Sequence, residues 1–104
     1  MFGLSPSTLG AINELRVCAD LLLKGYEVFR SVSPGSSCDL AILKEGKLIR
    51  IEVKTAHLKS NGKLMNPVKK HRADVVALVF PESITYIPDL SEASIHGQNP
   101  SQEL

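Results

Sequence analysis

Apolar residues recur at steps of three and four positions along residues 5–24, which is the spacing of a helix that buries one side. Ser5 is expected to cap the start of this helix, and Pro6 fits its first position because an N–H there has no helical partner. Gly25 is expected to end it. The predicted buried stripe consists of Leu9, Ile12, Leu15, Ala19 and Leu22.

Beyond this helix, the pattern changes to short apolar or alternating runs, which predict strands. The five predicted strands cover residues 26–32, 39–44, 48–55, 75–80 and 83–87. Residues 33–37 and the polar, basic residues 57–71 are predicted loops, and we expect the second loop to become ordered on a ligand. The fully apolar run 75–80 predicts a strand that is buried in the core or in a subunit interface.

These elements predict a single α/β domain over residues 1–90, with the N-terminal helix packed on a mixed sheet of four or five strands. Residues 91–104 predict a tail that is disordered or forms a short helix. The 104 residues, 43% hydrophobic and 22% charged, have the composition of an ordinary globular protein. No apolar run approaches the roughly 18 residues that span a membrane, and no secretion signal is visible, so we expect a cytoplasmic protein. Cys18 and Cys38 are expected to be free thiols.

The second and third predicted strands form a hairpin whose register follows from its turn. A two-residue loop at Glu45-Gly46, or a four-residue loop centred there, places Asp39 directly opposite Glu52. A three-residue loop would shift every pair by one position. In the favoured register, the Cβ atoms of Asp39 and Glu52 are about 5 Å apart.

Two carboxylates in such a position destabilise a sheet unless a positive charge lies between them. Oxygen ligands from two strands suit Mg²⁺, so Asp39 and Glu52 predict a metal site. Lys54 lies on the same face of its strand as Glu52, roughly 7 Å further along. Its ammonium group is expected to orient a water molecule or to stabilise negative charge that develops on a phosphate.

Basic residues are concentrated near this cluster, although the whole chain has a net charge of only +1. No acidic residue lies between Glu52 and Asp74. The residues in and around this stretch that predict a nucleic-acid surface are Thr55, His57, Lys59, Lys63, Lys69, Lys70 and Arg72. Such a surface neutralises backbone phosphates, although the same stretch is also compatible with an ordinary solvated loop.

A helical Glu14, Asp39 at the start of one strand and Glu52-x-Lys54 in the next strand together resemble the PD-(D/E)xK nuclease superfamily. Within this superfamily, the chain resembles Holliday-junction resolvases and small members that are similar to homing endonucleases. The resemblance extends over about residues 7–88 and implies a restriction-endonuclease-like core. Cys38 stands where the superfamily has the proline that gives the motif its first letter.

The resemblance implies a Mg²⁺-dependent DNA endonuclease, either structure-selective like the junction resolvases or of the homing type. Asp39, Glu52 and the backbone carbonyl of Val53 would hold the metal, and Mn²⁺ would substitute for Mg²⁺. Glu14 would contact a second metal or its water shell, and Lys54 would position or deprotonate the attacking water. A homodimer or higher homo-oligomer is expected, because one active site cuts one strand.

Two other interpretations compete with this one. The charged residues could form a solvated face of the sheet, or the chain could be a catalytically inactive DNA-binding or assembly module in which one acidic residue is displaced. A different hydrolase, or a regulatory protein for an acidic partner, would need another cluster, and the sequence contains no catalytic serine motif, P-loop or dinucleotide motif. His71, His96 and Asp74 are expected to be surface or structural residues.

Overall fold

One helix packs against one face of a five-stranded mixed sheet in the computed structural model, which describes residues 3–65 and 72–93. The elements are α1 (Pro6–Leu23), β1 (Glu27–Arg30), β2 (Leu40–Lys44), β3 (Lys47–Thr55), β4 (Val75–Val79) and β5 (Ile84–Ile87). The strands lie in the order β1-β2-β3-β4-β5, with β3 and β4 parallel and the other neighbours antiparallel. The predicted α/β fold is confirmed.

Local sequence determines both ends of α1. The Ser5 hydroxyl accepts the Thr8 N–H at 3.1 Å, as expected for an N-cap, and Pro6 begins the helix. At the other end, Gly25 has a φ of 88°, a conformation that glycine adopts without strain. The N–H groups of Gly25 and Tyr26 donate to the carbonyls of Leu22 and Leu21, which is a Schellman motif.

The predicted apolar stripe of α1 is wrong for three of its five residues: Leu9 and Ile12 are half-buried, but Leu15, Ala19 and Leu22 are exposed. The helix buries Asn13, Val17 and Leu21, whereas Leu15 is 56% exposed and Leu22 is 60% exposed. The buried residues follow a four-residue spacing that begins with a polar side chain. A stripe built from apolar residues alone therefore selected the wrong side of the helix.

The core lies between α1 and the sheet. All five residues of β4 are buried, so this apolar strand belongs to the core of the chain rather than requiring a subunit interface. Leu90 and Ala93 also pack in the core, and the Lys44 ammonium donates to the Leu90 carbonyl at 2.7 Å. The remaining predicted tail, residues 94–104, lies outside the described residues. Cys18 and Cys38 are free, as expected.

The β2–β3 hairpin has the favoured register. Lys44 pairs with Lys47 across a two-residue turn, and the ladder continues to the pair of Leu40 with Ile51. Glu45 and Gly46 have φ angles of 52° and 78°, because a turn that follows the twist of the strands needs positive φ at both positions. Within the part of the chain that the structure describes, no helix is long and apolar enough to cross a membrane.

Candidate functional site

The two halves of β3 have different neighbours. From Lys47 to Ile51 the strand pairs with β2, and from Ile51 to Thr55 it pairs with β4, so one edge becomes open after Ile51. The N–H and C=O of a strand residue point to one side, and successive residues alternate. The Ile51 carbonyl accepts from Asp39 on the β2 side, so Val53, two residues later, directs its N–H and C=O toward the open edge.

Asp39 occupies this open edge with its side chain. Its Oδ2 accepts the Val53 N–H at 2.8 Å, and its own N–H donates to the Ile51 carbonyl at 3.0 Å. The Asp39 carbonyl accepts the Ser31 N–H at 3.1 Å, which ties the residue to the loop after β1. These contacts orient the carboxylate, and its Oδ1 has no hydrogen-bond partner within residues 3–65 and 72–93.

The position of Asp39 differs in one respect from the predicted cross-strand pair. The regular ladder ends with Leu40 and Ile51, so Asp39 and Glu52 are not ladder partners. The carboxylate of Asp39 captures the Val53 N–H in place of a backbone carbonyl. This interaction could not be derived from the strand period, which describes only backbone pairing.

Asp39, Glu52 and Lys54 nevertheless line one cavity of about 290 Å³. Arg72 contributes a second cationic side chain to it, and the loop before β2 contributes Ser36, Ser37 and Cys38. Glu52 is partly buried and Lys54 is exposed. Two acidic and two basic side chains therefore face the same polar cleft at the open edge of β3.

Glu14 reaches this region from α1, but it faces a neighbouring cleft. It lines a second cavity of about 380 Å³ together with Asp39 and the serines of the loop after β1. Its carboxylate lies 3.6 Å from the Arg30 guanidinium, and its side chain is 30% exposed. The structure thus brings Glu14 next to Asp39, whereas Glu52 and Lys54 lie in the adjoining cleft.

A family model described as PD-(D/E)XK endonuclease matches residues 4–83. The chain belongs to the PD-(D/E)XK endonuclease family. Among solved structures, the bacterial homing endonuclease I-Ssp6803I has a similar fold, with a TM-score of 0.61 and 21% sequence identity. The similarity covers 79% of this chain and 62% of that chain, so this chain spans less than two thirds of the homing endonuclease. None of the curated proteins compared with the chain matches it.

These comparisons confirm the predicted family and its restriction-endonuclease-like core. Membership supports nuclease function. PD-(D/E)XK nucleases typically use divalent metal ions.

The residues at the open edge of β3 fit such an ion. No group of three or more His, Cys, Asp or Glu side chains that could hold a metal occurs within residues 3–65 and 72–93. Mg²⁺ does not need one, because it usually binds one or two carboxylates and keeps several water molecules. Asp39 and Glu52 supply two carboxylates to one cleft, and the Val53 carbonyl points toward the same edge.

Cys38 lines the same cleft as these donors. Burial raises the pKa of its thiol, and the negative charge of Asp39 acts in the same direction, whereas Arg50 partly opposes the shift. The thiol is therefore protonated near neutral pH. The hard oxygen donors beside it suit Mg²⁺ or Mn²⁺ rather than a soft metal ion.

Arg50, which shares a strand face with Glu52, serves a different purpose. Its N–H and guanidinium donate to the carboxylate of Asp74, with Nε at 3.2 Å and a fully buried Asp74 side chain. These hydrogen bonds to Asp74 raise the pKa of Arg50 further. Asp74 thus has the structural role that the sequence predicted, at the start of β4.

The predicted nucleic-acid surface is only partly described. Arg72 lines the main cleft, and His57, Lys59 and Lys63 are exposed on the loop after β3. A bridge between residues 58 and 64 orders that loop. Lys69, Lys70, His71 and His96 lie outside the described residues.

Thr55 belongs to a contact that sequence reasoning missed. Its hydroxyl accepts the Asn13 side-chain amide at 2.8 Å, and the Asn13 amide oxygen accepts from Arg16 at 3.3 Å. Asn13 is only 2% exposed. The signal in the sequence was a polar residue spaced four and eight positions before Val17 and Leu21, which an apolar count ignores.

Proposed function

We propose that this protein is a Mg²⁺-dependent DNA endonuclease that hydrolyses phosphodiester bonds. It is either structure-selective, like the junction resolvases, or of the homing type. The observation that carries the proposal is the shared cleft of Asp39, Glu52 and Lys54 at the point where β2 leaves β3. The family relationship supports the reaction class.

Asp39 and Glu52, with the Val53 carbonyl, would hold the cation. A divalent cation bound there would make hydroxide available near neutral pH and would stabilise negative charge on the phosphate. The hydrogen bond from the Val53 N–H holds Oδ2 of Asp39 in place. Because both oxygens belong to one planar carboxylate, this contact also fixes the direction of Oδ1. Such prior orientation reduces the reorganisation that binding requires.

Lys54 and Arg72 provide positive charge in the same cleft. The Lys54 ammonium positions the attacking water or stabilises charge that develops on the phosphate oxygens. Arg72 binds a phosphate oxygen and helps to hold the DNA strand, as expected for a guanidinium group. Glu14, in the neighbouring cleft, would contact a second metal ion or its water shell.

A catalytically inactive module with the same fold would have one acidic residue displaced from the cleft. Asp39 and Glu52 both line it, and Asp39 is fixed there by the backbone of β3. The geometry therefore favours a nuclease over an inactive module.

The test is cleavage of supercoiled plasmid, linear duplex and a four-way DNA junction in Mg²⁺. Glu52→Gln keeps the shape of the side chain but removes its charge, so we expect cleavage to fall at least about a hundredfold. Glu82→Gln is the matched control, because it removes the same charge from an exposed position between β4 and β5. Equal cleavage by Glu52→Gln and Glu82→Gln would remove the proposed mechanism.

We also propose that the active form is a homodimer or higher homo-oligomer. A symmetric assembly presents two sites to two strands, which a duplex or junction cut requires. Exposed apolar side chains of Phe29, Leu43 and Leu48 lie on the sheet face that carries Glu52 and Lys54, and they offer a contact surface. Sedimentation equilibrium should give a multiple of the chain mass, and a monomer that still cuts both strands of a duplex together would contradict this.

A further inference from the structure

A separate cavity of about 300 Å³ lies where the N-terminal half of α1 crosses the ends of β3 and β4. Arg16, Asn13, Thr55 and His57 form its polar wall, and Leu9 and Phe80 are among its apolar residues. Thr55 directly follows Lys54, and Asn13 directly precedes Glu14. The cavity is therefore beside the candidate active site, on the opposite face of β3 from Lys54.

Arg16 is held in this cavity by a neutral partner. Its Nη1 donates to the Asn13 amide oxygen at 3.3 Å, and the Asn13 amide group is itself held by the Thr55 hydroxyl. Within residues 3–65 and 72–93, Arg16 has no carboxylate within 4.0 Å. An arginine that is partly buried without an acidic partner keeps its full positive charge for a ligand.

From this geometry we infer that Arg16, oriented by Asn13, binds a backbone phosphate of the DNA strand next to the phosphate that is cut. The inference rests on the proposed nuclease function. A guanidinium group can donate two hydrogen bonds to two oxygens of one phosphate, and His57 in the same polar wall adds a second donor. Leu9 and Phe80 give the adjoining sugar an apolar surface.

The chemistry of Asn13 is part of this inference. An amide oxygen orients the guanidinium without neutralising it, whereas a carboxylate at the same position would form an ion pair with Arg16. Asn13→Asp has the same shape, and its carboxylate can still accept from the Thr55 hydroxyl. The Asn13→Asp carboxylate should therefore form an ion pair with Arg16 and make its charge unavailable to DNA, while α1 keeps its position.

DNA affinity is measured by fluorescence anisotropy with a labelled duplex and a labelled junction, in the Glu52→Gln background so that cutting is strongly reduced. The slope of log affinity against log salt concentration reports the number of phosphates neutralised. Arg16→Met should lower the magnitude of this slope by about 0.9, and Asn13→Asp should lower it similarly. Arg16→Lys should restore most of it, because it keeps the charge.

Lys24→Met is the matched control, since it removes one positive charge from the opposite end of α1 and should leave the slope unchanged. Thermal unfolding of each variant confirms that it is folded. An unchanged slope in a folded Arg16→Met protein overturns the phosphate contact and leaves the proposed function intact. A chain that binds DNA with the expected slopes but, with Glu52 present, cuts none in Mg²⁺ overturns the proposed function and leaves the contact intact.

Discussion

The two halves of β3 carry the same alternating sequence pattern but perform different tasks. The first half, Lys47–Ile51, is paired on its β2 edge, and Arg50 is held by the buried Asp74. The second half, Glu52–Thr55, has lost β2, and the carboxylate of Asp39 takes the place of the missing strand at Val53. In the first half, backbone hydrogen bonds to β2 stabilise the fold. In the second half, the edge of β3 that β2 no longer covers has room for a ligand.

The same contrast applies to α1. Its C-terminal half is tied to the sheet through Asp20, whose carboxylate accepts the Tyr86 hydroxyl at 2.6 Å. Its N-terminal half is tied through Asn13 and Thr55, next to the residues proposed for catalysis. We therefore expect changes at Lys47–Ile51 and in the C-terminal half of α1, together the paired half, to alter stability. Changes at Glu52–Thr55 and in the N-terminal half of α1, together the open half, should alter activity.

Asp74→Ala should give the largest effect on stability. It leaves the Arg50 N–H and guanidinium without their buried partner, which typically costs about 3–5 kcal/mol. Urea denaturation should show this decrease in the free energy of unfolding, with Glu82→Ala, an exposed turn residue, as the control. A loss below about 1 kcal/mol would show that the paired half does not depend on Asp74.

Lys54→Met should separate activity from stability. Cleavage should fall about a hundredfold, which corresponds to about 2.7 kcal/mol of transition-state stabilisation. The free energy of unfolding should change by less than about 0.5 kcal/mol, because Lys54 is exposed. A large loss of stability with normal cleavage per folded molecule would reverse the roles assigned to the two halves.

Tyr86→Phe should cost stability without loss of cleavage. A hydrogen bond to a charged group contributes about 1.5–3 kcal/mol, and here the acceptor is Asp20. Burial raises the pKa of Tyr86, and the hydrogen bond to Asp20 adds to this. Burial also raises the pKa of Asp20, but hydrogen bonds from Tyr86 and Lys24 outweigh burial and lower it below its ordinary value.

The sign of the pH dependence follows from these shifts. The Asp20 contribution is present above its ordinary pKa of about 3.9 and is lost as the pH falls through the lower folded value. The Tyr86 contribution is present below about pH 10 and is lost above it. The stability difference between wild type and Tyr86→Phe should therefore narrow at both extremes in urea titrations. A difference that is constant from acid to alkaline pH would contradict this assignment.

Glu45→Asn should give the smallest effect, a gain in stability of about 0.5–1 kcal/mol. Glu45 has a φ of 52°, which asparagine tolerates better than glutamate. The turn is at the closed end of the hairpin, so cleavage should remain unchanged. Thermal unfolding measures the gain, and a lower melting temperature would show that the Glu45 side chain makes a contact that asparagine cannot replace.

Local features of the sequence were sufficient for much of the fold. The register of the β2–β3 hairpin followed from Glu45-Gly46, and the ends of α1 followed from Ser5 and Gly25, because caps and turns depend on neighbouring residues. The buried side of α1 could not be predicted in this way. It depends on the contact of Asn13 with Thr55, which is 42 positions away in the chain.

The candidate site shows the same limit. The strand period placed Glu52 and Lys54 on one face, and both line the cleft with Asp39. The position of Asp39 depends on where β2 leaves the ladder, and a side chain that bonds to the Val53 backbone decides this. Arg16 gave no signal of its own, because its environment is formed by three separate elements.

The most direct test of the account is a crystal structure of the protein soaked in Mn²⁺, with the metal located by its anomalous scattering. We predict one Mn²⁺ in the cleft at the open edge of β3, bound by carboxylate oxygens of Asp39 and Glu52 and by the Val53 carbonyl. The Glu52→Gln variant should lose this peak under the same conditions. A fully folded wild-type protein with no metal in the cleft, or with Mn²⁺ bound only elsewhere, would contradict the account.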